Sequence, residues 1–252
     1  MTEGYRPIPV QLKSGLVEVG SNIWTLEAGG SVYFRPPAQP RYPYPHRAVV
    51  IRLEDASLFV HSPISPTPEV RKDLEFEKTL STNTPEPEWT GQIDQSVFGV
   101  NGVLPEIVFF HRESRIVIFA DLIMDFDREI FSPVARITTR WNQLDRHTPR
   151  GVQLANTFGR ASLRRSLEKV RAWEPKHLIV AHSPWLCVDG EKEISDLLDL
   201  AFDWLKPHPT IVEAAMTVAR LLALLVLILP MHAVLVLVAD SIYPRLRSWR
   251  SP

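Results

Sequence analysis

Three apolar runs of the sequence each end in a histidine, and a fourth ends in an aspartate. The histidines are His61, His111 and His182, and Asp121 follows the apolar run at 116–120. In an α/β domain the carboxyl ends of strands face the crevice where ligands bind, so these side chains could converge there. Imidazole together with carboxylate suits zinc, iron or manganese, and a catalytic metal needs at least three protein ligands. The four residues are therefore candidate metal ligands.

The same histidines also have a structural interpretation, because a histidine at a strand end is more often hydrogen-bonded than metal-bound. The repeated His-Ser-Pro turn at 61–63 and 182–184 favours the metal site slightly. Asp125 and Asp127 are predicted instead to cap or solvate the start of the next helix. Phosphate-loop, dinucleotide, serine-hydrolase and zincin motifs are absent from the sequence. The single cysteine, Cys187, is predicted to be a small buried side chain.

A longer segment carries a family resemblance. Residues 106–122, EIVFFHRESRIVIFADL, together with Asn22-Ile23-Trp24, the run at 58–63 and His182, resemble domain-of-unknown-function family 4336. That family is placed among metallo-β-lactamase-like folds. The resemblance covers roughly residues 16–206, and the FFHRESR and ADL motifs are its specific part.

The resemblance implies a four-layer αββα sandwich with metals at one edge of its two sheets. Asp121 resembles the carboxylate that can bridge two metals in this superfamily, and His182 resembles the last histidine ligand. His61 begins a turn that takes the place of an Asp-Thr-Gly turn. His111 has no secure counterpart.

The sequence departs from the family where the first metal motif should stand. Family members carry an Asn and paired histidines there, whereas here no histidine occurs between His61 and His111. The fold is therefore expected to be shortened, and the resemblance implies zinc or iron at the site, or no metal. Two functions stay open: a domain that binds or scaffolds and is weak or inactive as a catalyst, and a metal-dependent hydrolase of an ester, thioester or phosphodiester.

The elements that must position these residues are predicted from apolar patterning. Residues 16–26 and 48–60 are typical of strands, the second segment forming a hairpin around 54–57. Another hairpin is predicted from the runs at 107–110 and 116–119, and the apolar run at 178–180 is typical of a buried strand.

Helical periodicity follows later, at 161–173 and 191–206, with Asp189 as an N-cap candidate for the second helix. Strands, then helices, then strands indicate a layered α/β domain. The proline-rich stretches 35–45 and 63–87 are predicted to be surface loops.

Composition and charge are those of an ordinary globular protein. The chain has 252 residues, of which 45% are hydrophobic and 23% charged, with a formal charge of -1. Such a balance argues against a dedicated nucleic-acid-binding protein. Residues 136–176 nevertheless contain ten basic and three acidic side chains. This block is either a solvated helix face or a surface for anionic lipid.

The end of the chain is different. Residues 221–239 form nineteen residues without a charge, close to the length that spans a bilayer. They predict a transmembrane helix, or a re-entrant hairpin divided at Pro230, that contacts membrane lipid. We expect a metallo-hydrolase-like domain at 1–210 on the cytoplasmic side and a membrane segment with a basic tail at 211–252. The small-molecule substrate is not specified by the sequence.

Overall fold

The computed structural model describes residues 4–7, 15–27, 32–34, 42–44, 46–62, 80, 83–100, 103–126, 136, 139–140 and 142–207, with single residues at 212, 215, 218, 219 and 222. Asp127 and the predicted membrane segment, except Leu222, lie outside these residues. In the helices of the described part, none is long and apolar enough to cross a membrane.

A seven-stranded mixed sheet forms the centre of the fold, in the order β1-β13-β12-β10-β9-β8 with β11 paired to β10. Strands β10 and β12 run parallel, and the other pairs are antiparallel. The strands are β1 (Tyr5–Pro7), β8 (Ile93–Val100), β9 (Val103–His111), β10 (Ile116–Asp125), β11 (Asp145–His147), β12 (His177–His182) and β13 (Trp185–Asp189).

A four-stranded antiparallel sheet, in the order β2-β3-β6-β7, faces the larger sheet. Its strands are β2 (Leu16–Gly20), β3 (Ile23–Glu27), β6 (Arg47–Arg52) and β7 (Leu58–His61). The hairpins predicted at 48–60 and at 107–119 are confirmed as β6-β7 and β9-β10. Two further strands, β4 (Val32–Phe34) and β5 (Tyr42–Tyr44), pair with each other. The prediction of a loop throughout 35–45 is wrong at β5, because a short two-stranded pair accepts Pro43.

Three α-helices are described over their full length: α1 (Arg150–Ala155), α2 (Arg160–Ala172) and α3 (Glu191–Ala201). The periodicity of the last two is confirmed, since Leu163 and Val170 of α2 and Ile194 and Leu198 of α3 are buried. The N-cap of α3 is Gly190 rather than the predicted Asp189. Gly190 has a φ of 104°, a conformation that L residues rarely adopt.

Two hydrophobic cores separate the layers, and alternation along the central strands supplies both. Val117 and Phe119 of β10 face the core under α2 and α3, whereas Ile116 and Ile118 face the core between the two sheets. The predicted buried strand is confirmed in β12, whose Ile179 is fully buried. The described residues thus form three layers, one of helices and two of sheet, and they confirm the mixed α/β part of the predicted class.

Three residues of the basic block at 136–176 hold α2 to the rest of the fold. Arg160 donates from Nη2 to the carbonyl of Trp204 at 2.5 Å, and Arg164 donates from Nη1 to that of Leu205 at 3.0 Å. Lys169 donates from Nζ to the carbonyl of Gln95 at 2.9 Å. These three bonds fix α2 to its neighbours. Part of the positive charge of the block therefore binds internal carbonyl oxygens.

Candidate functional site

Asp121 and His182 meet at one end of the central sheet. Strands β10 and β12 run parallel, and the pairing shifts between Phe119 and Met124 before Met124 pairs with His182. Asp121 lies within this irregular stretch, and its Oδ1 is 3.0 Å from His182 Nε2. The imidazole is 6% exposed and the carboxylate 60%. The predicted convergence of these two residues is therefore observed, as an ion pair or hydrogen bond between them.

The carboxylate of Glu106 accepts hydrogen bonds from the irregular stretch of β10. Its Oε1 accepts the backbone N–H of Ala120 at 2.8 Å, and its Oε2 accepts those of Asp121 and Leu122 at 2.7 Å each. Burial raises the pKa of Glu106 to about 7, with the charge of Asp121 acting in the same direction and the three N–H bonds opposing it. The sequence offered one signal for this residue: a carboxylate directly before a fully apolar strand segment.

His61 lies in the same neighbourhood, at the end of β7. Its ring packs against Phe109 with centroids 5.5 Å apart, and its Nδ1 is buried with no hydrogen-bond partner in the described residues. Burial lowers the pKa of His61 to about 4; the charge of Asp121 opposes this, while His46 and His182 add to it. His61 is therefore neutral at physiological pH.

His46 joins the group although sequence analysis did not single it out. Its ring centroid is 5.5 Å from that of His182, and its Nε2 lies 3.0 Å from the carbonyl oxygen of Ser62. His46 stands directly before β6, whereas the histidines predicted from the sequence all follow apolar runs. The site cluster is hereafter His46, His61, Asp121 and His182.

Arg47 fixes the strand that carries His182. Its guanidinium, 1% exposed, donates from Nη1 to the carbonyl of Val180 at 2.7 Å and to Ser183 Oγ at 3.0 Å. The same side chain forms an ion pair with Glu27. Burial lowers the pKa of Arg47, and the charge of Glu27 opposes that effect. Arg47, the first residue of β6, thus binds the chain on both sides of His182.

Asp125 has a different role from the predicted helix cap. It is the last residue of β10, and its Oδ2 accepts a hydrogen bond from Trp185 Nε1 at 2.7 Å and lies 3.9 Å from Arg146 Nε. The apolar run before it continues as strand for longer than the pattern indicated. Asp125 therefore ties β10 to the start of β13.

His111 does not join the site cluster. It pairs with Ile116 at the opposite end of the sheet, and its Nδ1 is 2.8 Å from Ser114 Oγ. The five residue steps from Ile116 to Asp121 correspond to about 16 Å of strand. The antiparallel direction of β9 explains the separation, because its carboxyl end lies where β10 begins.

Within the described residues, the site cluster lacks the arrangement that a metal ion requires. In the part of the chain that the structure describes, no three histidine, cysteine, aspartate or glutamate side chains are arranged to bind a metal. The carboxylate of Asp121 and Nε2 of His182 contact each other, and Nε2 of His46 contacts a carbonyl. As arranged, these residues do not fit a metal ion.

Comparison with known proteins yields one similar structure. No protein-family model matches the chain, so the resemblance to family 4336 stays unconfirmed. No curated protein matches it either. A metallo-β-lactamase from Erythrobacter litoralis, solved in its mono-zinc form, aligns over 78% of this chain and 100% of its own, with 12% identity and a TM-score of 0.44. At these values the alignment assigns neither family nor activity.

Proposed function

We propose that this protein is a metallo-β-lactamase-like domain with an incomplete metal centre, which binds a partner or ligand at a membrane surface and is weak or inactive as a hydrolase. The two facing sheets with helices on one side, and Asp121 and His182 at the ends of adjacent strands, support the first part. The segment at 106–122, which resembles family 4336, forms most of β9 and β10 and the turn between them.

The contact between Asp121 and His182 carries the proposal. A bridging carboxylate and a terminal imidazole would each have to turn toward a shared ion, but here they satisfy each other at 3.0 Å. His182 is held in that position from both sides, because Arg47 binds the residues at 180 and 183. Binding a metal here would break the hydrogen bond between Asp121 and His182, which the surrounding fold stabilises.

The membrane part of the proposal rests on the sequence of 221–239. Its nineteen uncharged residues match the hydrocarbon thickness of a bilayer, and the chain then ends in an arginine-containing tail. We place the domain at 1–210 on the cytoplasmic side and the anchor within 211–252, as a single span or a re-entrant segment. Anchoring would keep the binding domain at the lipid surface.

Metal content tests the proposal. Full-length protein in detergent, reconstituted with zinc or iron and then desalted, is expected to retain far less than one metal per chain. His182→Ala and Asp121→Ala should leave that low content unchanged. His177→Ala is a matched control, since His177 lies on the same strand but at the far end, with its Nδ1 2.7 Å from Asp189 Oδ1.

A metal-dependent hydrolase of an ester, thioester or phosphodiester is the second candidate. One observation favours it. The site cluster brings together three imidazoles and a carboxylate, the donor types that zinc prefers, and the charges of the other three groups act on His61. It requires stoichiometric zinc or iron that both His182→Ala and Asp121→Ala remove and that His177→Ala retains. That result would overturn the first proposal.

A further inference from the structure

A cavity of about 500 Å³ lies at the opposite end of the sheets from the site cluster. Its walls are the turns that join β2 to β3, β6 to β7 and β9 to β10, together with the residues that precede β8. His111, which the sequence singled out but the site cluster does not use, is buried in its wall. The cavity is therefore separate from the region around Asp121.

The walls of the cavity are joined by hydrogen bonds between the two sheets. The backbone N–H of Glu54 donates to Gln92 Oε1 at 2.7 Å, and Asn22 Nδ2 donates to Glu113 Oε2 at 3.0 Å. Each bond links a turn of the smaller sheet to the larger one. Since rigid strands carry these turns, the cavity is formed in advance of any ligand.

Two guanidinium groups line the cavity in fixed orientations. Arg52 donates from Nε and Nη2 to Asn22 Oδ1 at 3.1 and 2.6 Å. Arg112 donates from Nε and Nη2 to the two carboxylate oxygens of Asp94 at 2.7 Å each. The Nη1 group of each arginine has no hydrogen-bond partner within the described residues, and the Arg52 guanidinium lies over the Trp24 ring at 5.7 Å from its centroid. Oriented guanidinium donors of this kind suit a carboxylate ligand.

Two carboxylates line the same cavity and balance that positive charge. Glu113 already accepts from Asn22, whereas the carboxylate of Glu54 has no hydrogen-bond partner among the described residues. The Glu54 backbone is held by Gln92, so its side chain is anchored close to the cavity. It can accept hydrogen bonds from an ammonium group without giving up an existing contact.

We propose that this cavity binds a small zwitterion, a free amino acid, with its carboxylate at Arg52 and Arg112 and its ammonium group at Glu54 and Glu113. The lining holds two positive and two negative side chains, so an ion of one sign would gain from one pair and be repelled by the other. Buried Leu53 adds an apolar surface for the ligand's carbon atoms. The volume is ample for a ligand of this size.

Calorimetric titration of the full-length protein in detergent tests the proposal. The probes are glycine, leucine, glutamate and lysine, with acetate and methylammonium as analogues that carry only one of the two charges. At least one amino acid should bind saturably and at least about tenfold more tightly than either analogue. If no amino acid binds more tightly than acetate or methylammonium, the proposal is overturned.

Variants then locate the binding. Arg52→Gln and Glu54→Gln should each weaken it by about tenfold or more, whereas Arg165→Gln, a change of an exposed arginine on α2, should not. Glu54→Gln removes no hydrogen bond seen in the described residues, so it keeps the test valid if Arg52→Gln fails to fold. Binding that survives both cavity substitutions would show that the ligand sits elsewhere.

Discussion

The ionisation of His61, a member of the site cluster, changes the stability of the fold. Burial lowers its pKa to about 4, below the value near 6.5 expected in the unfolded chain. The unfolded state therefore binds the proton more readily, and the contribution of His61 to stability is present above pH 6.5 and is lost as pH falls through 4. His61→Asn should flatten this acid-side loss, which amounts to roughly 3 kcal/mol at most. Chemical denaturation between pH 7 and 4 measures it; equal slopes for both proteins would contradict the assignment.

Glu106 stabilises the strand segment that presents Asp121. Glu106→Gln places an amide N–H₂ against one of three backbone N–H donors, so we expect a loss of about 1–3 kcal/mol in the free energy of unfolding above the pKa of Glu106, where its carboxylate is ionised. Glu168→Gln, on the exposed face of α2, is the control and should change stability by less than about 0.5 kcal/mol. Similar values for the two variants would mean that Glu106 does not hold this segment.

At the scale of elements, Arg160 shows how the basic block contributes to stability. Its buried guanidinium donates to the carbonyl of Trp204, beyond the end of α3. Arg160→Ala should therefore cost about 2 kcal/mol in thermal or chemical unfolding, because the carbonyl loses a charged donor. Arg165→Ala, on the same helix but exposed, should be nearly neutral. If both substitutions cost the same, the block is a solvated face and not a set of internal contacts.

Periodicity was sufficient to predict the hairpins, the buried strand β12 and the two amphipathic helices, because each depends on local alternation of apolar side chains. It was insufficient for His46 and Glu106, which reach the site cluster only through the pairing of β6 with β3 and β7 and of β9 with β8 and β10. The same limit separates His111 from Asp121, since strand direction, and not distance along the chain, decides which end of a sheet a residue occupies.

At the scale of the whole molecule, the proposed function requires a membrane anchor within 221–239. Deletion of 221–239 should move the protein from the membrane pellet to the supernatant after carbonate extraction, because the segment supplies the apolar length that spans a bilayer. Replacing four of its central leucine and valine residues by alanine is a milder variant that should weaken retention. A deletion protein that stays in the pellet would contradict an anchor at this position.

The central claim is that Asp121 and His182 bind each other in place of a metal ion. Zinc titration of the full-length protein, followed through the imidazole nitrogen resonances of His46, His61 and His182, tests it most directly. We expect these resonances to stay unchanged at one equivalent of zinc. The spectrum of the His177→Ala variant identifies the His177 signal, so that it can be left out of the comparison. A saturable shift of the His182 and His61 resonances at one equivalent, lost in Asp121→Ala, would contradict it.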